Sequence, residues 1–202
     1  MCGIIGISSS KPVSANIINS LKKLEYRGYD SAGVATLFDG EINEVKSEGR
    51  VDNLEKNFDL KSLKGNIGIG HVRWATHGVP NSINAHPHSS DNVSVVHNGI
   101  IENSTILKKH LINKGHAFKS QTDTEVIEHL ITENLKIMEL EEAITKTLKQ
   151  LHGSFALGII FKDIPDLIVG ARRGSPLAVG YGPNAVSYTH LRAHETDSYL
   201  VC

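Results

Sequence analysis

The run FALGIIF at residues 155–161 constrains the fold more than any other part of the chain. It has the length of a strand, and it is apolar at both odd and even positions. Such a strand must be covered on both faces, whereas a strand facing water on one side alternates apolar and polar residues. The fold must therefore place a layer of structure on each side of the sheet that contains this run.

The other predicted elements come in blocks of strands and blocks of helices. A helix capped at Ser14 follows a first strand at residues 4–7, and strands over 33–38 and 42–46 are joined by the hairpin dipeptide Asp39-Gly40. Strands over 67–74 and 93–96 precede three amphipathic helices, the second with a capping box at residues 122–125. Strands over 154–161, 166–171 and 177–181 close the ordered pattern. This order predicts an α+β fold with sheet packed on sheet and helices outside.

Composition and charge exclude several classes of protein. With 40% hydrophobic and 21% charged residues in 202 positions, the chain has the composition of a soluble globular protein. The net charge of -1 gives no indication of a nucleic-acid or membrane-surface partner. Apolar runs are too short for a membrane helix, and no signal peptide is recognisable. The cysteines, Cys2 and Cys202, stand at opposite ends and make a poor disulfide framework, which favours a reducing, cytoplasmic location.

The amino terminus, Met1-Cys2-Gly3, carries the first candidate for chemistry. Removal of Met1 would leave a free α-amine on the nucleophile residue, with a reference pKa near 7.7–8.0. That amine could act as general base for the Cys2 thiol, directly or through one water. The alternative is an incidental cysteine at the second position.

Asn98-Gly99, after the strand over 93–96, has two interpretations. The Asn98 side-chain amide and the Gly99 N–H could form an oxyanion hole. Asn-Gly is also among the commonest turn dipeptides, and taken alone the turn is favoured.

Two charged residues could bind a substrate that carries both charges. Arg73 could hold a carboxylate bidentately, with Trp74 as a wall and Thr76 and His77 adding polar contacts; the alternative is a satisfied arginine at a strand end. Asp123 could bind an ammonium group, or it could complement the dipole of the helix whose first turn it is predicted to occupy.

The chain contains 11 histidines, and His86 and His88 with His71, His77 and His97 raise the possibility of a metal site. No HExxH motif or Cys/His ligand spacing accompanies them, so core or solvated histidines are preferred to zinc ligands. There is no P-loop or GxGxxG motif, and no cofactor is expected.

Taken together, these segments resemble a known family. The motifs occur in a fixed order: MCGIIG at 1–6, EYRGYDSAG at 25–33, RWATHG at 73–78, NAHPH at 84–88, HNGIIEN at 97–103, TDTE at 122–125 and GSPL at 174–177. They resemble the class II, N-terminal-nucleophile glutamine amidotransferases, and specifically the glutaminase domains of the glucosamine-6-phosphate synthases. The stretch at 26–33 separates them from the purine-pathway amidotransferases and asparagine synthetases.

The resemblance implies a four-layer αββα sandwich and hydrolysis of glutamine to glutamate and ammonia through a thioester. It implies that Cys2 is the nucleophile with its α-amine as base, and that Asn98 and Gly99 form the oxyanion hole. It further implies that Arg73 binds the glutamine α-carboxylate and Asp123 the α-ammonium, with Thr76 and His77 lining the pocket. Arg27 and Trp74 would belong to the region that closes the site.

The resemblance covers residues 1 to about 182. Residues 183–202 do not continue the family pattern and look like translated foreign sequence, so we expect the sandwich to be incomplete at its C-terminal end and this tail to be dispensable. Fructose 6-phosphate would be used only by a downstream isomerase domain that is not in this chain, and the full-length enzyme could be oligomeric. Two alternatives stay open: another class II amidotransferase, and a non-catalytic protein that binds glutamine.

Overall fold

Two antiparallel sheets form the centre of the fold. The computed structural model describes residues 2–75, 78–182, 185–189 and 200–201. The strands are β1 (Gly3–Ser9), β2 (Ser31–Phe38), β3 (Glu41–Glu48), β4 (Ile67–Arg73), β5 (His88–Ser89), β6 (Val93–Ile101), β7 (Gly153–Phe161), β8 (Ile168–Arg173), β9 (Ala178–Gly182), β10 (Ala185–Thr189) and β11 (Leu200–Val201). The first sheet is six-stranded in the order β3-β2-β4-β1-β10-β9, and the second is five-stranded in the order β11-β8-β7-β6-β5.

The helices lie outside the two sheets. They are α1 (Ser14–Leu24), α2 (Asp52–Asn57), α3 (Ser104–Asn113), α4 (Glu125–Leu135) and α5 (Leu140–Gln150), with short 3-10 turns at Glu25–Arg27 and Leu60–Ser62. In the described part of the chain, no helix has the length and apolar character needed to cross a membrane.

Three apolar clusters separate four layers. The first joins α1 and α2 to the outer face of the six-stranded sheet, the second fills the space between the sheets, and the third joins the five-stranded sheet to α3, α4 and α5. This arrangement confirms the predicted α+β sandwich with helices outside.

Strand β7 shows why the apolar run at 155–161 required this arrangement. Phe155, Leu157 and Ile159 point into the cluster beneath the helices. Ala156 and Ile160, at alternate positions, belong to the cluster between the sheets. Both faces of the strand are therefore covered, as the sequence predicted.

Two elements extend further than the sequence predicts. Strand β6 does not end near Val96 but continues to Ile101. The ordered pattern does not close near Tyr181, because β10 follows and is inserted between β1 and β9. The division of the chain at residue 182 stays a prediction.

The capping box predicted at residues 122–125 is wrong. Helix α4 begins at Glu125, and Thr124 at its N-cap makes no capping hydrogen bond with its side chain. The Glu125 carboxylate instead accepts hydrogen bonds from the backbone N–H groups of Lys119 and Ser120, both at 2.7 Å. The glutamate thus holds the preceding loop rather than the residue three positions before it.

Candidate active site

A cavity of about 370 Å³ brings together residues that lie far apart in the sequence. Its walls come from the start of β1, the end of β4, the second half of β6 and the loop before α4. The lining residues are Cys2, Arg73, Trp74, His86, His97, Asn98, Gly99, Ile100, Thr122, Asp123 and Thr124. Most of the residues predicted to carry chemistry therefore meet in one pocket.

Cys2 stands directly before β1, and its side chain is partly buried in this pocket. The Sγ atom accepts a hydrogen bond from the Trp74 backbone N–H at 3.2 Å. Burial raises the pKa of the Cys2 thiol above its ordinary value, and the hydrogen bond from Trp74 opposes that rise. The thiol is therefore mostly protonated near neutral pH, and it needs a base to become a nucleophile.

Asn98 and Gly99 lie within β6, where they pair with Ala156 and Phe155 of β7. The turn interpretation of Asn98-Gly99 is therefore wrong, because both residues belong to a continuous ladder. The Asn98 side-chain amide donates to the carbonyl oxygen of Cys2 at 3.2 Å. This hydrogen bond ties the predicted oxyanion donor directly to the residue that carries the thiol.

Gly99 is required at its position for two physical reasons. Its φ of 143° is one that side-chain-bearing residues rarely adopt. In addition, a Cβ atom built on it would overlap the carbonyl oxygen of Ser154 on β7. The backbone at the pocket can take this shape only because residue 99 has no side chain.

Arg73 is the last residue of β4 and is 3% exposed. Its guanidinium forms an ion pair with Asp30 at 3.4 Å and donates to the carbonyl oxygen of Gly78 at 3.2 Å. Asp30 also accepts a hydrogen bond from the backbone N–H of Ala75. Asp30 thus fixes both Arg73 and the chain that follows it.

Asp30 is a site residue to which the sequence analysis gave no role. It belongs to the motif at 25–33 that carried the family resemblance, and its place in that motif was a sequence signal that could have drawn attention to it.

Asp123 lies in the loop before α4 and is 8% exposed. Its Oδ2 atom accepts a hydrogen bond from the backbone N–H of Ile101 at 2.7 Å. The prediction that Asp123 occupies the first helical turn is wrong, since α4 begins two residues later. The helix-dipole interpretation therefore has less support than it had from the sequence.

Trp74 lines the pocket and contacts Gly28, the residue that follows Arg27. The Trp74 side chain is 53% exposed, and its indole lies so close to Gly28 that a Cβ atom there would overlap the ring. Gly28 ends the 3-10 turn that contains Arg27, whose guanidinium lies 5.9 Å from the centre of the Tyr26 ring. Arg27 itself does not line the pocket. The remaining predicted residues, Thr76 and His77, fall outside the described residues.

A group of buried histidines lies in and beside the wall of the pocket. His86 and His97 both contact the Thr124 hydroxyl at 2.8 Å, and the His71 ring stacks on that of His86 with centroids 4.2 Å apart. The Thr122 hydroxyl contacts His88 at 3.0 Å. Burial is the main cause that lowers the pKa of His71 and His88 to about 3 and that of His86 well below its ordinary value. His71, His86 and His88 are therefore core histidines in neutral form.

Comparisons with known proteins agree with this geometry. The glutamine amidotransferase domain matches residues 71–186 of the chain, which is more than half of it. A glutamine--fructose-6-phosphate aminotransferase [isomerizing] from Mesorhizobium japonicum is 57% identical over 183 residues, which cover 90% of this chain and 30% of the relative. A second such enzyme, from Pyrococcus horikoshii, is 52% identical over 185 residues, and the match covers 31% of its length. The chain thus spans about a third of the length of these relatives.

Solved structures show the same architecture. The glutamine phosphoribosylpyrophosphate amidotransferase from B. subtilis superposes with a TM-score of 0.81 at 31% identity, over 93% of this chain and 41% of that one. A glutamine aminotransferase class-II domain protein from Silicibacter pomeroyi, at 12% identity and a TM-score of 0.65, shares the fold over 98% of its own chain.

Proposed function

Because the chain belongs to the glutamine amidotransferase domain family, we propose that its Cys2 pocket hydrolyses the side-chain amide of glutamine. The observation that carries this proposal is the meeting of Cys2, Asn98 and Gly99 with the charged residues Arg73 and Asp123 around one cavity of about 370 Å³. Hydrolysis of the side-chain amide needs a nucleophile and donors to the oxyanion. Binding of the glutamine zwitterion needs one group of each charge.

The first step is deprotonation of the thiol. Because burial raises the pKa of Cys2, its proton must be taken by a neighbouring base. Removal of Met1 would create an α-amine on Cys2 itself, with a reference pKa near 7.7–8.0, so that a useful fraction is neutral at physiological pH. The core histidines are poor substitutes, because their lowered pKa values make them weak bases.

The thiolate then attacks the side-chain carbonyl carbon of glutamine, and the Asn98 amide and the Gly99 N–H donate to the oxygen that becomes negative. The intermediate collapses as the C–N bond breaks, and ammonia leaves with the proton that the amine had taken from the thiol. Water then cleaves the γ-glutamyl thioester, which releases glutamate and restores the thiol.

Arg73 and Asp123 would orient the substrate. Arg73 would take the α-carboxylate, since a guanidinium matches a carboxylate in shape and charge, and Asp123 would take the α-ammonium. We assign Thr76 and His77 to the wall of the same subsite. Trp74, half exposed and lying on Gly28, with Arg27 next to it, would belong to the part that closes over the pocket.

We further propose that the ammonia is transferred to fructose 6-phosphate by a longer enzyme of which this domain is a part. The relatives at 51–57% identity are glutamine--fructose-6-phosphate aminotransferases, which supports this substrate. The phosphoribosylpyrophosphate enzyme shares the fold but is only 31% identical, so sequence favours the sugar amidotransferase over the purine one. A cytoplasmic location, oligomerisation of the longer enzyme and the absence of a nucleic-acid partner belong to the same proposal.

The test is a pair of assays on the purified chain, after intact-mass measurement has established whether it begins at Met1 or Cys2. We expect ammonia release from glutamine by protein that begins at Cys2, loss of most of that activity in Cys2→Ser, and no glucosamine 6-phosphate when fructose 6-phosphate is added. Activity in a preparation that retains Met1 would reject the free-amine mechanism. Glutamine binding without any hydrolysis would favour the non-catalytic alternative.

A further inference from the structure

A second cluster of chemically active side chains lies on α4, away from the Cys2 pocket. Glu125, Glu128 and His129 occupy positions i, i+3 and i+4 of this helix and therefore share one face. One ligand atom from each of the three lies within 4.8 Å of the others. Glu125 and Glu128 also line a cleft of about 570 Å³ that opens beside the helix.

Two atoms of this cluster lack the hydrogen bonds that buried polar atoms normally have. Among the residues the structure describes, neither Oε2 of Glu128 nor Nε2 of His129 has a hydrogen-bond partner, and both atoms are buried. Glu128 as a whole is only 3% exposed. His129 Nε2 lies 3.5 Å from a Glu128 oxygen and 3.8 Å from a Glu125 oxygen, both longer than an ordinary N–H···O hydrogen bond. Buried polar atoms normally have a binding partner, so the lack of one at both atoms indicates a ligand between them.

A chain of hydrogen bonds fixes which nitrogen of His129 faces the carboxylates. Glu133 is held by ion pairs with Lys114 at 2.9 Å and Lys136 at 2.7 Å, and it accepts a hydrogen bond from His116 Nε2 at 3.0 Å. The His116 Nδ1 atom is therefore an acceptor when the ring is neutral, and it faces His129 Nδ1 at 3.2 Å. With a neutral His116 ring, His129 donates from Nδ1, and the lone pair of its Nε2 faces Glu125 and Glu128.

The Glu125 side chain is also oriented by hydrogen bonds. Its carboxylate accepts hydrogen bonds from the backbone N–H groups of Lys119 and Ser120, and from the Ser120 hydroxyl at 2.6 Å. Metal-ligating side chains are typically oriented by such outer hydrogen bonds, and a carboxylate–histidine contact behind a ligating histidine is a common form of them. Here Glu133 and His116 stand behind His129 in that way.

We propose that Glu125, Glu128 and His129 form a binding site for a divalent transition-metal ion of the Zn²⁺ type. One imidazole nitrogen and two carboxylate oxygens are ligands that Zn²⁺ accepts, and the remaining coordination position would be open to water from the cleft. The ion would place its positive charge between the side chains of Glu125 and Glu128, and it would accept the lone pair of His129 Nε2. It would also anchor the loop held by Glu125, which continues into Asp123 of the Cys2 pocket.

The test is a Zn²⁺ titration of the full chain by calorimetry, in a Cys2→Ser, Cys202→Ser background so that thiolates cannot bind the metal. We expect one site, and an affinity at least tenfold weaker in Glu128→Gln and in His129→Gln. In His116→Gln, which changes only the orienting contact, we expect a loss of about 10–100-fold. The matched control His110→Gln removes an exposed histidine of α3 and should bind Zn²⁺ like the background chain.

Thermal unfolding gives a second measurement that does not depend on glutaminase activity. Zn²⁺ should raise the Tm of the background chain and of His110→Gln, and at the same concentration it should raise the Tm of Glu128→Gln less. The proposal is overturned if the background chain binds no Zn²⁺. It is also overturned if the binding survives both Glu128→Gln and His129→Gln, because the metal would then lie elsewhere, for example on His86 and His88.

Discussion

At the scale of single residues, the pocket depends on groups that each serve two purposes. Asn98 donates to the Cys2 carbonyl in the structure, and a side-chain amide carries a second N–H that can reach a developing oxyanion. Asp123 accepts from the backbone of Ile101 while facing the cavity. Substitution of either residue must therefore be designed to separate its structural contact from its proposed role in the reaction.

Asn98→Ala should lower kcat by roughly 10²–10³ if its amide donates to the oxyanion. The KM for glutamine should change little, because that donation is strongest in the transition state. Steady-state ammonia release measures both constants, and Asn43→Ala, an exposed asparagine of β3, is the control for the loss of an amide. A kcat within a few-fold of the wild type would show that Asn98 is not an oxyanion donor and that its role is the structural hydrogen bond to Cys2.

Asp123→Asn keeps the shape of the side chain and an oxygen for the Ile101 N–H, but it removes the negative charge. Leaving a ligand charge poorly compensated at a desolvated site costs on the order of 2–5 kcal/mol, so the KM for glutamine should rise by at least about tenfold. The Tm should stay close to that of the wild type. An unchanged KM with a lower Tm would instead assign Asp123 to the stability of the loop.

At the scale of elements, strand β10, which follows residue 182, contributes a core residue that the sequence analysis did not predict. Tyr188 of β10 is 4% exposed and fills a space between the two sheets. A Cβ atom built on Gly6 of β1, or on Gly158 of β7, would overlap its ring. These glycines thus form a slot for the tyrosine, and β10 contributes Tyr188 to the core between the sheets.

Tyr188→Ala should therefore destabilise the chain by about 3–5 kcal/mol, the range for truncating a large buried aromatic residue. Tyr181→Ala, in the neighbouring strand β9, is the matched control, because Tyr181 is 77% exposed. Urea unfolding of the two variants measures the difference in free energy of unfolding. Equal stability of the two variants would support the sequence-based prediction that residues 183–202 are dispensable.

At the scale of the whole molecule, the buried histidines couple stability to pH. The structure keeps His71, His86 and His88 neutral, with pKa values lowered mainly by burial. In the unfolded chain a histidine has a pKa near 6.5. As the pH falls below that value, the unfolded chain takes up protons that the folded chain refuses, so stability is lost between about pH 6.5 and pH 3. Glu128 acts in the opposite sense between about pH 7 and pH 4.5, since burial raises its pKa to about 7.

His88→Gln should reduce this acid sensitivity. Each histidine kept neutral contributes about 1.4 kcal/mol of lost stability per pH unit below the unfolded pKa. The variant should lose that much less than the wild type for each unit between pH 6 and pH 5, whatever its stability at pH 7. Urea unfolding at pH 7, 6 and 5 measures the slope, with His110→Gln as the exposed control. Identical slopes for the wild type and His88→Gln would show that His88 can be protonated in the folded state.

The sequence by itself determined the layers of this protein and most of its candidate site. The doubly apolar run at 155–161 required cover on both faces, because that pattern depends only on neighbouring residues. The family resemblance of the ordered motifs predicted site roles for Cys2, Arg73, Asn98, Gly99 and Asp123. Tertiary structure decided what depends on contacts between distant segments. The pairing of β6 with β7 made Asn98-Gly99 part of a strand rather than a turn, and Asp30 acquired its role through Arg73, 43 residues away. Tyr188 became a core residue only because two glycines on separate strands left room for its ring.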